Sequence, residues 1–86
     1  MKPVIMLITD WCPYCKQASG WMRELSAENP KYADIEVRVI DEEREPEAAK
    51  QYNYYYVPTY YVDGVKIHEG VPTKDIVREV FEKALK

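Results

Sequence analysis

The sequence predicts one α/β domain, a four-stranded mixed sheet flanked by three helices in the order βαβαββα. Three observations support this prediction. A continuous apolar run near the N-terminus is typical of a strand buried on both faces, an Asp-Gly pair separates two β-rich segments, and an amphipathic helix closes the chain. Because the chain has 86 residues, of which 47% are hydrophobic, we expect a single domain over residues 1–86.

The first half of the chain predicts a parallel strand–helix–strand unit. The buried strand corresponds to VIMLI (residues 4–8), and apolar or small residues at helical spacing follow over residues 15–28. This helix ends at ENP (28–30), because the residue before a proline avoids the helical region. A second strand with one apolar face is predicted at IEVRVI (35–40), where apolar and charged residues alternate.

The second half predicts a helix, a hairpin and a final helix. A helix is indicated over EPEAAKQYN (45–53), with a proline near its start and Asn53 as the residue that closes it. The hairpin is predicted within VPTYYVDGVKIHE (57–69), where two β-rich runs flank Asp63-Gly64. The last helix begins after Thr73 as N-cap, with Asp75 in its first turn. Its apolar stripe consists of Ile76, Val77, Val80, Phe81, Ala84 and Leu85.

Charge and hydropathy exclude several classes of function. The net charge is −3 and the basic residues are scattered, so we expect no nucleic-acid partner. No segment approaches the roughly 20 apolar residues of a membrane span, and the first apolar run is too short for the core of a signal peptide. We therefore expect a cytoplasmic protein with no membrane partner. The acidic segment DEEREPE (41–47) is expected to be a solvated loop that runs into a helix.

The candidate chemistry lies in WCPYC (11–15), which holds both cysteines of the chain. A disulfide between Cys12 and Cys15 would close a very small loop and stabilise the fold little, so we expect a redox role for the pair. Positions three apart on a helix are neighbours, which allows the disulfide to form and open without refolding. Pro13 occupies the first helical position, where proline is tolerated.

The position of the pair predicts different roles for the two thiols. Free backbone N–H groups and the helix dipole stabilise an anion at a helix N-terminus, which favours the thiolate of Cys12 as the attacking nucleophile. Cys15 lies one turn inside the helix, so we expect it to be more covered and to act as the resolving thiol. Tyr14 lies at the exposed helix edge and is expected to face the substrate.

Metal and haem sites do not fit the sequence. A structural zinc site needs about four ligands, but the chain has two cysteines and one histidine, His68, which we expect on the surface. A c-type haem requires a histidine directly after the second cysteine, and Lys16 stands there. We therefore expect no metal site and no bound cofactor.

These motifs resemble those of the thioredoxin superfamily over nearly the whole chain. The resemblance rests on WCPYC (11–15), on YVPTYYVDGV (56–65), which is similar to the family's valine–cis-proline–threonine segment, and on HEGVPTKDIVREVFEKAL (68–85). It implies a minimal thioredoxin fold in which Pro58 is cis and packs beside the two cysteines. It also implies that the backbone of Val57 pairs with an extended substrate. The implied substrate-binding residues are Trp11, Pro13, Tyr14, Val57, Pro58 and Thr59.

The subfamily resemblance is mixed. Pro13 and Tyr14 between the cysteines are typical of glutaredoxins, whereas Trp11 before them is typical of thioredoxins. Thr9 stands where glutaredoxins carry a basic residue for glutathione, and Met6 stands where thioredoxins carry a buried aspartate that moves protons for the resolving thiol.

The resemblance implies a dithiol–disulfide oxidoreductase that reduces protein or glutathione mixed disulfides. Its external electron source would be glutathione, or thioredoxin reductase with NADPH. Its partners would be disulfide-containing proteins, and we expect a monomer. Tyr55 and Tyr56, just ahead of Val57, could line a substrate groove, and Asp10 could serve as an acid near the surface.

An alternative function is an iron–sulfur module, in which two chains share a cluster through Cys12 and external glutathione. Glutaredoxins that bind such clusters usually carry another residue in place of Pro13.

Overall fold

A computed structural model describes all 86 residues of the protein. Its four strands are β1 (Val4–Ile8), β2 (Val37–Asp41), β3 (Thr59–Val62) and β4 (Val65–Glu69). They form one sheet in the order β2-β1-β3-β4. β1 and β2 are parallel, whereas β3 is antiparallel to both β1 and β4. This mixed sheet confirms the predicted α/β architecture.

Two long helices and two single helical turns complete the fold. They are α1 (Pro13–Glu28), α2 (Pro30–Ala33), α3 (Pro46–Ala49) and α4 (Lys74–Leu85). α1 ends before Pro30 as predicted, but the same proline begins α2, which the sequence did not predict. The side chain of Asn29 caps α2 by accepting a hydrogen bond from the Lys31 N–H at 3.0 Å. None of the helices combines the length and hydropathy that crossing a membrane requires.

Both faces of the sheet are buried. Along β1, Val4 and Met6 face the main core beneath α1 and α4, whereas Leu7 faces a smaller cluster beneath α3. The main core consists of Val4, Met6, Ala18, Leu25, Tyr32, Ile35, Tyr60, Val62, Val77, Val80, Phe81 and Ala84. The smaller cluster consists of Leu7, Ile40, Ala49 and Tyr61. The uninterrupted apolar run predicted β1 correctly because this central strand is covered on both sides.

The hairpin and the last helix also agree with the sequence. Asp63 and Gly64 have φ angles of 51° and 80°, the positive values that both central residues of a type I′ turn require. The Thr73 hydroxyl accepts a hydrogen bond from the Ile76 N–H at 3.1 Å and caps α4. These local signals were sufficient to predict the hairpin and the last helix.

Two details of the prediction were wrong. The helix predicted over residues 45–53 ends at Ala49, and Asn53 does not close it. Instead the hydroxyl of Tyr61 accepts a hydrogen bond from the Asn53 N–H and donates one to the Asn53 carbonyl, at 3.1 and 2.7 Å. In β2, Val39 is 44% exposed whereas Ile40 is fully buried. Because β2 is an edge strand, coverage by α3 rather than alternation decides which of its residues are buried.

Candidate active site

The two cysteines lie at the junction between β1 and α1. Cys12 is the N-cap residue of α1 with an extended backbone (φ −79°, ψ 112°), and Pro13 is the first helical residue. The Cys12 N–H donates to the Thr9 carbonyl at 3.4 Å, which helps to turn the chain from strand into helix. Both thiols are free, so the structure shows the reduced form.

Two hydrogen bonds hold the sulfur of Cys12. Cys12 Sγ accepts a hydrogen bond from the Cys15 N–H at 3.2 Å, and its thiol donates to the Val57 carbonyl at 3.7 Å. The bond from the N–H group can form with either the thiol or the thiolate of Cys12, because the sulfur accepts in both. The bond to the carbonyl requires the thiol proton. Ionisation of Cys12 therefore leaves the Val57 carbonyl free to accept a hydrogen bond from another donor.

Cys15 is held as a neutral thiol. Burial, followed by the hydrogen bond with Cys12, raises the pKa of Cys15 to about 12, although a backbone hydrogen bond with Thr9 opposes the rise. The two cysteines are covered almost equally, since Cys15 is 3% exposed and Cys12 is 4% exposed. The clearer difference between them lies in their hydrogen bonds.

The loop before β3 forms the second part of the site. The Val57–Pro58 peptide bond is cis, as the family resemblance implied, and the Gly70 N–H donates to the Pro58 carbonyl at 3.0 Å. The side chains of Pro58 and Thr59 are fully buried, and the Thr59 hydroxyl donates to the Tyr56 carbonyl. The Thr59 side chain therefore supports the loop from below, and the role of Thr59 in substrate binding stays a prediction.

Exposed aromatic side chains lie on both segments of the site. Trp11, Tyr14, Tyr55 and Tyr56 are 71%, 44%, 88% and 70% exposed. Pro13 is also exposed, and Val57 is half-buried. The indole Nε1 of Trp11 donates to Glu43 at 2.7 Å, which fixes the ring against the loop after β2. The arrangement gives the dithiol an apolar surround.

The Glu69 carboxylate holds the segment of residues 54–57 before β3, which we call the tyrosine loop. The backbone N–H groups of Tyr55 and Tyr56 both donate to Glu69, and Lys66 donates to the other oxygen of Glu69 at 2.8 Å. The hydrogen bond from Lys66, followed by those from the two backbone groups, lowers the pKa of Glu69 to about 2. Glu69 therefore stays ionised and fastens the loop that leads to Val57.

The acidic segment at residues 41–47 is more structured than predicted. Asp41 is the last residue of β2, is 8% exposed, and accepts a hydrogen bond from the Glu43 N–H at 2.9 Å. That bond is the largest cause that lowers the pKa of Asp41. Asp41 is paired with Ile8, the last residue of β1. Because the carboxyl ends of parallel strands meet at one edge of a sheet, this pairing could have placed Asp41 near the start of α1.

No carboxylate of β1 lies beneath the dithiol. Met6, which stands where thioredoxins carry a buried aspartate, is fully buried in the main core. Asp10, the other candidate acid, has a side chain that is 57% exposed and pairs with Arg44 at 2.9 Å. The Thr9 hydroxyl is buried without a hydrogen-bond partner.

The structure offers no cluster for a metal ion. No group of three or more His, Cys, Asp or Glu side chains lies close enough together to bind one. His68 is half-buried rather than fully exposed, and its Nε2 lies 2.9 Å from the Val71 carbonyl.

Comparison with known proteins gives consistent matches. Residues 3–82 match the model of the thioredoxin domain family. A thioredoxin from Methanocaldococcus jannaschii is 32% identical over 74 residues, which are 86% of this chain and 85% of that protein. The reduced thioredoxin pre-protein of Schistosoma mansoni superimposes with a TM-score of 0.71 at 25% identity, covering 95% of this chain and 77% of its own. The oxidised thioredoxin of Plasmodium falciparum has a TM-score of 0.72 at 20% identity, and the match covers 95% of this chain and 79% of that thioredoxin.

Proposed function

This chain belongs to the thioredoxin family and is a dithiol–disulfide oxidoreductase, and from that premise we propose that it reduces disulfide bonds in other proteins. Cys12 is the nucleophile and Cys15 the resolving thiol. The observation that carries this assignment is the pair of contacts of Cys12 Sγ, with the Cys15 N–H at 3.2 Å and with the Val57 carbonyl at 3.7 Å.

The first step is attack by Cys12 on the substrate disulfide. The Cys12 thiolate, stabilised by the Cys15 N–H and the helix N-terminus, forms a bond to one substrate sulfur. The substrate S–S bond breaks, and the second sulfur leaves as a thiolate that takes a proton from water. The Val57 carbonyl, released from the Cys12 thiol, accepts a hydrogen bond from the backbone of an extended substrate segment.

The second step resolves the mixed disulfide. The sulfur of Cys15 attacks Cys12 Sγ as its proton passes to water. The Cys12–Cys15 disulfide forms, and the first substrate sulfur leaves as a thiolate and is protonated. Two electrons have then passed from the dithiol to the substrate. Burial raises the pKa of Cys15 to about 12, so Cys15 gives up its proton only as it attacks.

The surface around the dithiol supports protein substrates. Trp11 and Tyr14 on one side and Tyr55 and Tyr56 on the other expose large aromatic faces. Aromatic residues are enriched where proteins bind other proteins, because they bury much apolar area with few rotatable bonds. A disulfide on an extended, partly apolar segment fits this surface.

We propose that the electrons come from NADPH through thioredoxin reductase rather than from glutathione, and that no organic cofactor resides in the protein. The M. jannaschii thioredoxin supports this choice. So does Thr9, which is uncharged and 5% exposed, because this position then offers no cation for a glutathione carboxylate. A cytoplasmic location, where thiols are kept reduced, suits a reductant.

The experiment measures NADPH oxidation with a reporter protein that contains one accessible disulfide. One reaction contains thioredoxin reductase, and a second contains glutathione and glutathione reductase. We expect turnover in the first reaction and none after Cys12→Ser. Turnover only with glutathione would assign the protein to the glutaredoxin type, and a brown absorbance in the purified protein would instead favour the iron–sulfur module.

A further inference from the structure

A concave site lies between α3 and the tyrosine loop. It is a cavity of about 350 Å³, which we call the Glu42 cavity. Its lining residues are Glu42, Pro46, Ala49, Lys50, Tyr52, Tyr54 and Tyr55. The proposed reaction does not use any of these side chains.

Glu42 supplies the one carboxylate on the wall of the cavity. The Glu42 carboxylate accepts a hydrogen bond from the Tyr54 hydroxyl at 3.2 Å and forms no ion pair. Burial, followed by the charge of Glu42, raises the pKa of Tyr54 to about 12, so the phenol remains a neutral donor. Lys50 is the one cation on the wall, but it pairs with Glu47 at 3.4 Å outside the cavity. The carboxylate of Glu42 therefore has capacity to bind an incoming cation.

Tyrosine rings provide the rest of a cation site. Tyr52 and Tyr54 are half-buried, and the ring of Tyr52 is held against Tyr61 with centroids 5.0 Å apart. An ammonium or guanidinium group over such a ring is attracted by its negative face. The alkyl stem of a lysine or arginine side chain would pack against the same rings while its charged end meets Glu42.

The distance from the dithiol fits a side chain of the substrate. Tyr55, at the rim of the cavity, precedes Val57 by two residues, so their Cα atoms are at most about 7 Å apart. The carbonyl of Val57 in turn lies 3.7 Å from Cys12 Sγ. In an extended substrate segment, residues two apart are separated by about 6.6 Å. A residue two positions from the substrate cysteine therefore passes over the cavity.

We propose that the Glu42 cavity is a specificity site that receives a lysine or arginine side chain located two residues from the substrate cysteine. This inference rests on the proposed function, because it requires a peptide segment bound along Val57. It makes the protein select disulfides that have a positive charge nearby.

The test uses peptides with a single cysteine joined to thionitrobenzoate as a mixed disulfide. In one pair of peptides, lysine or uncharged norleucine stands two residues before the cysteine, and in a second pair two residues after it. The second-order rate of thionitrobenzoate release is measured with excess reduced protein. In at least one pair, we expect the lysine peptide to react about five-fold faster, the size of effect that a partly buried ion pair gives.

Two variants test whether the faster reaction of the lysine peptide depends on Glu42. Glu42→Gln is expected to bring the lysine-to-norleucine ratio to about one, and added salt to lower it in the unmodified protein. Glu45→Gln is the matched control, because Glu45 is on the same loop, pairs with Arg38 at 3.6 Å and does not line the cavity. A ratio near one in both pairs with the unmodified protein, or a ratio that survives Glu42→Gln, would overturn the inference. Failure of every peptide to react would instead overturn the proposed function.

Discussion

Cys15 of the reduced protein is expected to resist alkylation at neutral pH. Burial, followed by the hydrogen bond with Cys12, raises its pKa from an ordinary 9.0 to about 12. A pKa about 3 above the ordinary value leaves about a thousand-fold less thiolate at a given neutral pH. Because the thiolate is the form that reacts with iodoacetamide, a brief exposure near pH 7 should label Cys12 and leave Cys15 almost untouched.

Replacement of Cys12 by serine separates the effect of burial on the pKa of Cys15 from the effect of its contacts with Cys12. Cys12→Ser removes the sulfur that shares a hydrogen bond and charge with Cys15, but burial, the largest cause, remains. We expect the pH at which Cys15 becomes reactive to fall in this variant, yet to stay above 9.0. The measurement is the rate of iodoacetamide labelling at each cysteine as a function of pH, followed by mass spectrometry of the digested protein.

The control is the same protein unfolded in urea, in which both cysteines should be labelled at the rate of an ordinary thiol. Rapid labelling of Cys15 in the folded protein, with a midpoint near 9.0, would refute the reasoning from burial and hydrogen bonding. The midpoint is the decisive quantity, because limited access alone lowers the rate without moving it.

Three other sites have expected effects on the stability of the fold. Phe81→Ala empties a position that is 2% exposed in the main core and should cost about 3–5 kcal/mol in urea unfolding; a loss below about 1 kcal/mol would contradict that packing. Gly64→Ala should cost about 1 kcal/mol, because Gly64 has a φ of 80° that alanine tolerates poorly. The pKa of Glu69 is lowered from 4.5 to about 2 in the folded protein. Its stabilisation is therefore present above pH 4.5 and lost as the pH falls toward 2, and Lys66→Met should flatten this part of the pH–stability curve.

Features that depend on neighbouring residues in the chain could be predicted from the sequence. The turn at Asp63-Gly64 requires a positive φ at both positions, and the sequence supplies the pair that tolerates it. Thr73 caps the helix that follows it, and Cys12 lies at the N-terminus of a helix whose first residue is Pro13. Each of these predictions rests on backbone chemistry within a few residues.

Features that depend on distant elements could not be predicted in the same way. Asn53 does not cap a helix because its backbone groups pair with Tyr61, eight residues away. Val39 follows the alternating pattern but is exposed, because α3 packs against β2 on the side of Ile40. Glu43 belongs to an acidic run typical of a solvated loop, and only the fold brings it to the indole of Trp11.

The position of Thr59 shows the same limit within the site itself. The resemblance placed it among the substrate-binding residues, but only its burial shows that the side chain faces the interior. Its hydrogen bond to the Tyr56 carbonyl supports the loop whose backbone at Val57 faces the dithiol.

The most direct test of the assigned roles is to trap the mixed disulfide. Cys15→Ser removes the resolving thiol, so incubation with a peptide disulfide should leave one peptide strand attached to Cys12, as mass spectrometry of the digest would show. The matched variant Cys12→Ser should give no adduct, because burial remains the largest cause that raises the pKa of Cys15 and keeps it above 9.0. An adduct on Cys15 in Cys12→Ser that forms as fast as the one on Cys12 would contradict the assignment of nucleophile and resolving thiol.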